Sequence, residues 1–338
     1  MSEHEIELPE ASLLPWHQSL WQQFSARRQA DNLPHAILLT GAAGLGKQAL
    51  AAYLTQSLVC TNPNEDFSPC GVCDSCHLSG SGAHPDINWV QPEDAGKAIK
   101  VAAIRTLTEK SVLAAQGEQY RVFIINPADA MNVAAANALL KTLEEPAHRT
   151  VMLLVSSHAE RLPATIRSRC QQLSVSVPEH DDLISWMDNG LSREELEALL
   201  AVTANAPMEI ARAQEEGWLD RGQKLMQQLD ALKQRKVNPM RAKEEWQELE
   251  LDALLEDLER TVTDLVRISN AEQTKRLYYP RQRTLLQSLG KGIDLKNLYK
   301  FVDSLHQLRR QTANNLNAGM LLEKLIIDWL QISKPAAR

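Results

Sequence analysis

Residues 35–47 read HAILLTGAAGLGK, a short apolar run closed by a glycine-rich loop and a lysine. The run is the length of a buried strand, and GAAGLGK (41–47) fits G-x-x-x-x-G-K. A helix-like segment, QALAAYLTQSLV (48–59), follows directly. A strand, a glycine turn and a helix in that order form a phosphate loop. Its glycines let successive N–H groups turn inward, and the helix N-terminus adds partial positive charge. Gly41, Gly44, Gly46 and Lys47 are therefore candidate phosphate-binding residues. The next position departs from the pattern. Ser or Thr is needed there to ligate magnesium, and this chain has Gln48.

Working outward, the same alternation of apolar runs and helical segments continues. INWVQP (87–92), RVFII (121–125) and VMLLVSS (151–157) read as strands, with LSVSVP (173–178) as the last. Residues 15–30, 101–115 and AAANALLKTLEEP (134–146) read as helices. Strands alternating with helices predict an α/β domain whose parallel sheet is covered on both faces. RVFII is the strand whose tip carries metal-binding and water-orienting acids in phosphoryl-transfer domains. Here it runs into Asn126-Pro127, and Asp129 lies two residues beyond. Gln48 and Asn126-Pro127 remove the same chemistry from two directions, so ATP hydrolysis is not expected. Whether nucleotide binds without turnover stays open.

Four of the five cysteines, Cys60, Cys70, Cys73 and Cys76, fall within 17 residues at the spacing C-x9-C-x2-C-x2-C. Four thiolates suit tetrahedral Zn²⁺ in a structural site. An iron–sulfur cluster is the alternative, but the further Cys-Pro of ferredoxin-type runs is missing. Free thiols are the remaining reading. His77 and His84 are nearby bystanders, and the distant Cys170 is expected to be packing rather than a nucleophile.

The chain has 338 residues, is 44% hydrophobic and 23% charged, and carries a net charge of −7. That charge argues against tight, autonomous binding to bulk duplex DNA, which needs a strong Lys and Arg excess. No apolar run reaches the ~20 residues of a membrane span, and the first residues, MSEHEIELPE, lack a signal-peptide layout. A cytoplasmic location is the expectation. Residues 180–215 read as a small helical group with Ser192 as an N-cap. From 217 to 332 the pattern is helical again. In LDALLEDLERTVTDLVRI, residues Leu251, Leu254, Leu255, Leu258, Val262, Leu265 and Val266 form one stripe. Three domains are expected: 1–177 with its cysteine module at 60–76, a small helical domain at 178–216, and a helical domain at 217–338.

TIRSRC (165–170) places Arg167 and Arg169 after the fourth strand. An arginine there is a solvated charge, an ion-pair member, or a finger inserted into a neighbour's nucleotide site. The residues alone favour the first two.

The combination of HAILLTGAAGLGK, the four-cysteine insert, an acid-free strand tip before ANALLKTLEEP (136–146), and LPATIRSRC (162–170) resembles the delta prime branch of the bacterial clamp-loader family. These are AAA+ subunits of the assembly that opens the sliding clamp and places it on primed DNA for DNA polymerase III. The resemblance covers the first ~175 residues with specific motifs, and more weakly the C-terminal helices through NNLNAGMLLEKLIIDWL (314–330). It implies an AAA+ RecA-like sheet domain with a zinc insert, a helical lid and an all-α collar. It also implies a non-catalytic stator that offers Arg169 in trans to a motor subunit's ATP site, with Cys60, Cys70, Cys73 and Cys76 on zinc. The implied partners are the gamma/tau motor subunits and delta, with the clamp and primer-template DNA met through the assembly. Motor subunits carry Thr or Ser after the loop lysine, an acidic pair after the strand, and a second-sensor arginine in Gly-Ser-x-Arg. In this chain NAPMEIA (205–211) puts Met208 at that last place. Three rivals stand beside this reading. They are an active AAA+ motor, a zinc-bearing nucleic-acid-binding module using KRLYYPRQR (275–283), and a scaffold in which Arg169 is inert.

Overall fold

The computed structural model describes residues 9–94, 96–111, 119–187, 192–271, 273–274, 276–312 and 318–333. The chain divides into two compact units, 1–187 and 188–338.

The first unit is built on five parallel strands: β1 (Ala36–Thr40), β2 (Ile87–Val90), β3 (Arg121–Ile125), β4 (Thr150–Val155) and β5 (Gln171–Ser174). They lie in the order β2-β3-β4-β1-β5. β5 begins two residues earlier than LSVSVP suggested and ends at Ser174, because its pairing with β1 runs from Ile37↔Gln171 to Thr40↔Ser174. β3 and β4 are buried throughout and β1 in all but Thr40, and period-two alternation sends successive side chains to opposite faces. Ile37, Leu39, Val122, Ile124, Leu153 and Val155 pack on one face against α1 (Gln18–Gln29) and α2 (Lys47–Val59). Leu38, Phe123, Ile125, Met152 and Leu154 pack on the other with α4 (Val101–Ser111) and α5 (Val133–Glu144). Residues 112–115 of the expected 101–115 helix lie outside the described residues.

β1 leaves toward β2 on one side of the sheet, whereas β4 crosses β1 to reach β5 on the other. The connections therefore part at the carboxyl ends of β1 and β4, the place where such sheets bind ligands. Between β1 and β2 lie α2, the cysteine stretch and α3 (Asp74–Gly80). A buried pair fixes the start of the edge strand: Arg121 donates from Nε and Nη2 to Asp86 at 3.1 and 2.9 Å. Short helices follow β4 and β5: α6 (Ala164–Arg167) and α7 (His180–Trp186).

The second unit is helical: α8 (Arg193–Val202), α9 (Ile210–Glu215), α10 (Trp218–Lys233), α11 (Pro239–Gln247), α12 (Leu251–Asn270), α13 (Arg283–Gly290), α14 (Leu295–Thr312) and α15 (Ala318–Ile332). Ser192 caps α8 in a reciprocal capping box with Glu195. The α12 stripe is its core face, with Leu254, Leu255, Leu258, Val262 and Leu265 buried. α15 buries Leu322, Leu325, Ile326 and Trp329, and the Trp329 indole donates to the Leu229 carbonyl at 3.0 Å.

Two carboxylates interrupt the α12 stripe. Asp257 is buried against Arg221, Arg260 and the Tyr279 hydroxyl. Asp264 is buried and accepts the N–H groups of Tyr278 and Tyr279 at 2.9 and 2.8 Å. Burial pushes the Asp264 carboxyl up to about 6, against the pull of those donors and of Arg267. A folded-state value above the unfolded one means a contribution that is present at low pH and lost as pH rises through about 6. Relative to Asp264→Asn, which cannot titrate, the parent chain is expected to gain about 1 kcal/mol between pH 7 and pH 5. Urea unfolding of both chains across that range checks it, and a flat difference would refute it.

Candidate phosphate loop, metal centre and outward arginine

The phosphate loop keeps its backbone form. Gly41, Gly44 and Gly46 have φ values of 141°, 73° and 74°, conformations that other residues adopt at a cost. Two of the positions are also sterically closed. A Cβ on Gly41 would lie 2.4 Å from the Val175 carbonyl oxygen, and one on Gly46 would lie 2.4 Å from Leu14 Cδ1. The loop lysine turns inward. Lys47 is buried, and its Nζ donates to the Ala42 carbonyl at 2.6 Å. Burial lowers its pKa, partly opposed by the nearby Asp129.

The segment ahead of α1 holds the loop from outside, which the sequence pattern did not signal. Trp16 Nε1 donates to the Leu45 carbonyl at 3.0 Å, and His17 Nε2 meets the same oxygen at 2.9 Å. Because Nε2 must donate there, Nδ1 carries the lone pair, and it is buried with no partner among the described residues. Burial depresses the His17 pKa, so the ring is neutral at neutral pH. Trp16 in turn lies edge-on to Trp186 of α7, with centroids 5.0 Å apart.

At the tip of β3 the structure places Asn126, buried, with Pro127 after it. Asp129 lies beyond the tip in a 3-10 turn and points to the end of β4, accepting from Ser156 Oγ at 2.6 Å. A cleft of about 720 Å³ brings Gln48, Asn126, Asp129 and Arg161 together. The carboxylate that the β3 turn gives the cleft is committed to a serine, and Glu93 and Asp94, which line it from the stretch after β2, are paired with Lys100 and Lys97. Where the pattern asks for a metal-binding hydroxyl this chain has Gln48, and where it asks for an acidic pair it has Asn126 and Pro127.

The four cysteines converge. Cys60 ends α2, Cys73 caps α3 and Cys76 lies within it. Their sulfurs all lie within 4.8 Å of one another, with Cys60–Cys70 at 3.6 Å and Cys60–Cys73 and Cys70–Cys76 at 3.9 Å. Metal–sulfur bonds of ~2.3 Å in a tetrahedron require sulfurs about 3.8 Å apart, so the set fits a four-coordinate ion. Cys70 and Cys73 N–H groups point at neighbouring sulfurs at 3.4 Å, as they do around thiolates. His84 is occupied elsewhere, with Nε2 on Ser75 and Nδ1 accepting from the Asp86 N–H. Cys170 stands apart. Burial pushes its thiol up to about 11, which is wrong for a nucleophile.

Residues 16–179 match the family model described as DNA polymerase III, delta subunit, and residues 216–331 match that of its C-terminal region. The DNA polymerase III subunit delta' of Pseudomonas aeruginosa is 34% identical over 330 residues, 96% of this chain and 99% of that one. The chain belongs to the delta prime family of DNA polymerase III. The chain also resembles Escherichia coli subunit tau, 32% identical over 162 residues, 48% of this chain and 25% of that one. A solved gamma subunit-related protein of Thermotoga maritima aligns at TM-score 0.46 and 19% identity, covering 93% of this chain and all of that one.

As a delta prime family member, the chain is a clamp-loader subunit and an accessory to DNA synthesis. Its five-stranded parallel sheet with a glycine loop after β1, followed by an all-helical C-terminal region, is the architecture that the resemblance led one to expect. Arg169 follows α6 and is only partly covered. Its Nε and Nη2 donate to Glu144 Oε1 at 2.9 and 2.5 Å, and Nη1 donates to the Thr165 carbonyl at 3.0 Å. Arg169 is thus both an ion-pair member and an exposed guanidinium. Met208 is exposed in the second unit. In KRLYYPRQR, Tyr279 is fully buried and Tyr278 lies beneath Arg267 at 4.7 Å; Lys275 is outside the described residues. Rings held this way do not offer faces to stack single-stranded bases. Among the described residues, no helix is long and apolar enough to cross a membrane.

Proposed function

We propose that this chain is the non-catalytic stator of a replicative clamp loader. It supplies Arg169 in trans to the ATP site of a neighbouring gamma/tau motor subunit and so helps load the sliding clamp onto primed DNA. The supporting observation is a contrast within one domain. Its own phosphate loop is followed by Gln48, its β3 tip is Asn126-Pro127, and Lys47 is turned onto the loop carbonyl. Meanwhile Arg169 keeps a guanidinium with 35% of its side chain exposed. Charge-neutralising parts are missing where this chain would hydrolyse ATP, and one is retained where another chain would use it.

On this reading Cys60, Cys70, Cys73 and Cys76 hold a structural Zn²⁺, which would take the place of a hydrophobic core in the Cys-rich stretch. Gly41, Gly44, Gly46 and Lys47 are an inherited phosphate loop. Residues 178–216 are the lid, and 217–338 the collar that joins the motor subunits and delta.

The test is phosphate release from ATP by the purified chain alone and by the complex assembled with motor and delta subunits. Assembly itself is followed by co-migration on size exclusion. The chain alone is expected to be silent, and the complex to turn over ATP on primed DNA with the clamp. Turnover by the chain alone that survives repurification refutes the stator reading, as does failure to co-migrate.

A further inference from the structure

We infer that Glu144 is a positioning residue for Arg169, holding its guanidinium in the orientation that a neighbour's nucleotide site requires. The inference rests on the trans-acting role proposed above for Arg169.

Glu144 is the last residue of α5, one position ahead of the Glu145 cap and two ahead of Pro146. That is an unfavourable place for a carboxylate, because the helix C-terminus carries partial negative charge. The charge needs a compensating partner, and Arg169 supplies it from 25 residues downstream. The pairing has a particular form. One oxygen, Glu144 Oε1, takes both Nε–H and one Nη2–H, while Thr165 O and Ser168 Oγ take Nη1 at 3.0 and 3.4 Å. Two sides of the guanidinium plane are thereby fixed to two different helix ends, α5 and α6. A second Nη2 hydrogen is not engaged by these contacts.

An unheld arginine loses much rotamer freedom when it meets a phosphate, and a finger displaced by about 1 Å loses most of its effect. Pinning the Nε–Nη2 edge of the guanidinium to a helix terminus reduces both losses before the neighbour arrives. With half of the Glu144 side chain exposed, the pair is too accessible to be a strong stabiliser of the fold. Its geometry therefore calls for an explanation other than stability.

The experiment uses the assembled complex with Arg169→Ala, Glu144→Ala, Glu144→Gln and the Arg169→Ala/Glu144→Ala pair. ATP turnover with clamp and primed DNA is read as kcat and KM separately. Glu144→Ala is expected to lower kcat roughly 10-fold at the site that Arg169 serves, with KM for ATP unchanged. Glu144→Gln, which keeps an oxygen acceptor, is expected to recover part of the loss. The double variant is expected to be no slower than Arg169→Ala, because the two residues act as one unit. If Arg169→Ala leaves turnover unchanged, the trans-acting role itself fails. If Arg169→Ala slows turnover but Glu144→Ala matches the parent, exceeds it, or adds to the Arg169→Ala loss, the positioning role is wrong while the finger stands. Should Glu144→Ala fail to assemble, Glu144→Met, which keeps the side-chain length but removes the acceptor, carries the same comparison, and parental kcat for it in the presence of an Arg169→Ala defect overturns the inference.

Discussion

Arg169→Ala is expected to slow ATP turnover by roughly 10³- to 10⁵-fold at the one motor site that this chain faces, with the affinity for ATP little changed. A finger contributes by neutralising charge that develops on the transferring phosphoryl group. Its removal therefore raises the barrier rather than weakening ground-state binding. In this chain the guanidinium is held by Glu144 and Thr165, yet a third of the side chain remains accessible. The loss appears in steady-state turnover of the whole complex as the share of activity contributed by that site. It is isolated by single-turnover phosphate release at limiting ATP. Arg169→Lys is expected to recover little, since an ammonium cannot reproduce a planar fork already committed to Glu144 along one edge. Parental single-turnover rates for Arg169→Ala would make the arginine a structural ion-pair member only.

The second large effect concerns the cysteine module. One zinc per chain is expected in metal analysis of protein purified without added metal. Cys76→Ser is expected to lower that content sharply and to release protection of α3 amides against hydrogen exchange. Zinc bound to four thiolates supplies an apparent ~10–16 kcal/mol of folding free energy to small modules. Apolar support is thin within residues 61–80, where Val72 and Leu78 are exposed and Phe67 packs against the core. Besides Phe67, this stretch is tied to the rest of the domain through polar contacts. Arg28 covers the Phe67 ring at 4.9 Å, Ser57 Oγ donates to the Phe67 carbonyl at 2.9 Å, and Gln56 donates to the Cys76 carbonyl. The sheet core does not depend on these links, so the main unfolding transition should persist while the module frays. Metal content that is iron, or α3 protection unchanged in Cys76→Ser, would contradict the zinc assignment.

Most of the domain was legible in the sequence because its signals are local. A strand buried on both faces is a continuous apolar run, and RVFII and VMLLV read as such. A phosphate loop is a glycine spacing between a strand and a helix, and Gln48 and Asn126-Pro127 could be read as departures within it. The four cysteines converge as their spacing suggested. The α12 stripe is a period of three and four that only a helix satisfies, and the helix is there.

What escaped the sequence are polar partnerships between distant segments. The Trp16 and His17 clasp on the Leu45 carbonyl spans 28–29 residues, and Asp129 and Ser156 are 27 apart. Asp257 and Asp264 fall outside the apolar pattern, yet each is buried: Asp257 against Arg221 of α10 and the Tyr279 hydroxyl, and Asp264 beneath the N–H groups of Tyr278 and Tyr279. The Glu144–Arg169 pair joins two motifs that the sequence displayed separately. Apolar burial leaves a periodic trace, because every residue on a face contributes to it. A buried hydrogen bond involves one residue at each end, and its partner is chosen by strand register and by where a crossover lands. The sequence by itself therefore determined the α/β core, the cysteine cluster and the departures from the phosphate-transfer pattern at Gln48 and Asn126-Pro127. The tertiary structure alone decided how the phosphate loop is clasped, where Asp129 points, and what holds Arg169.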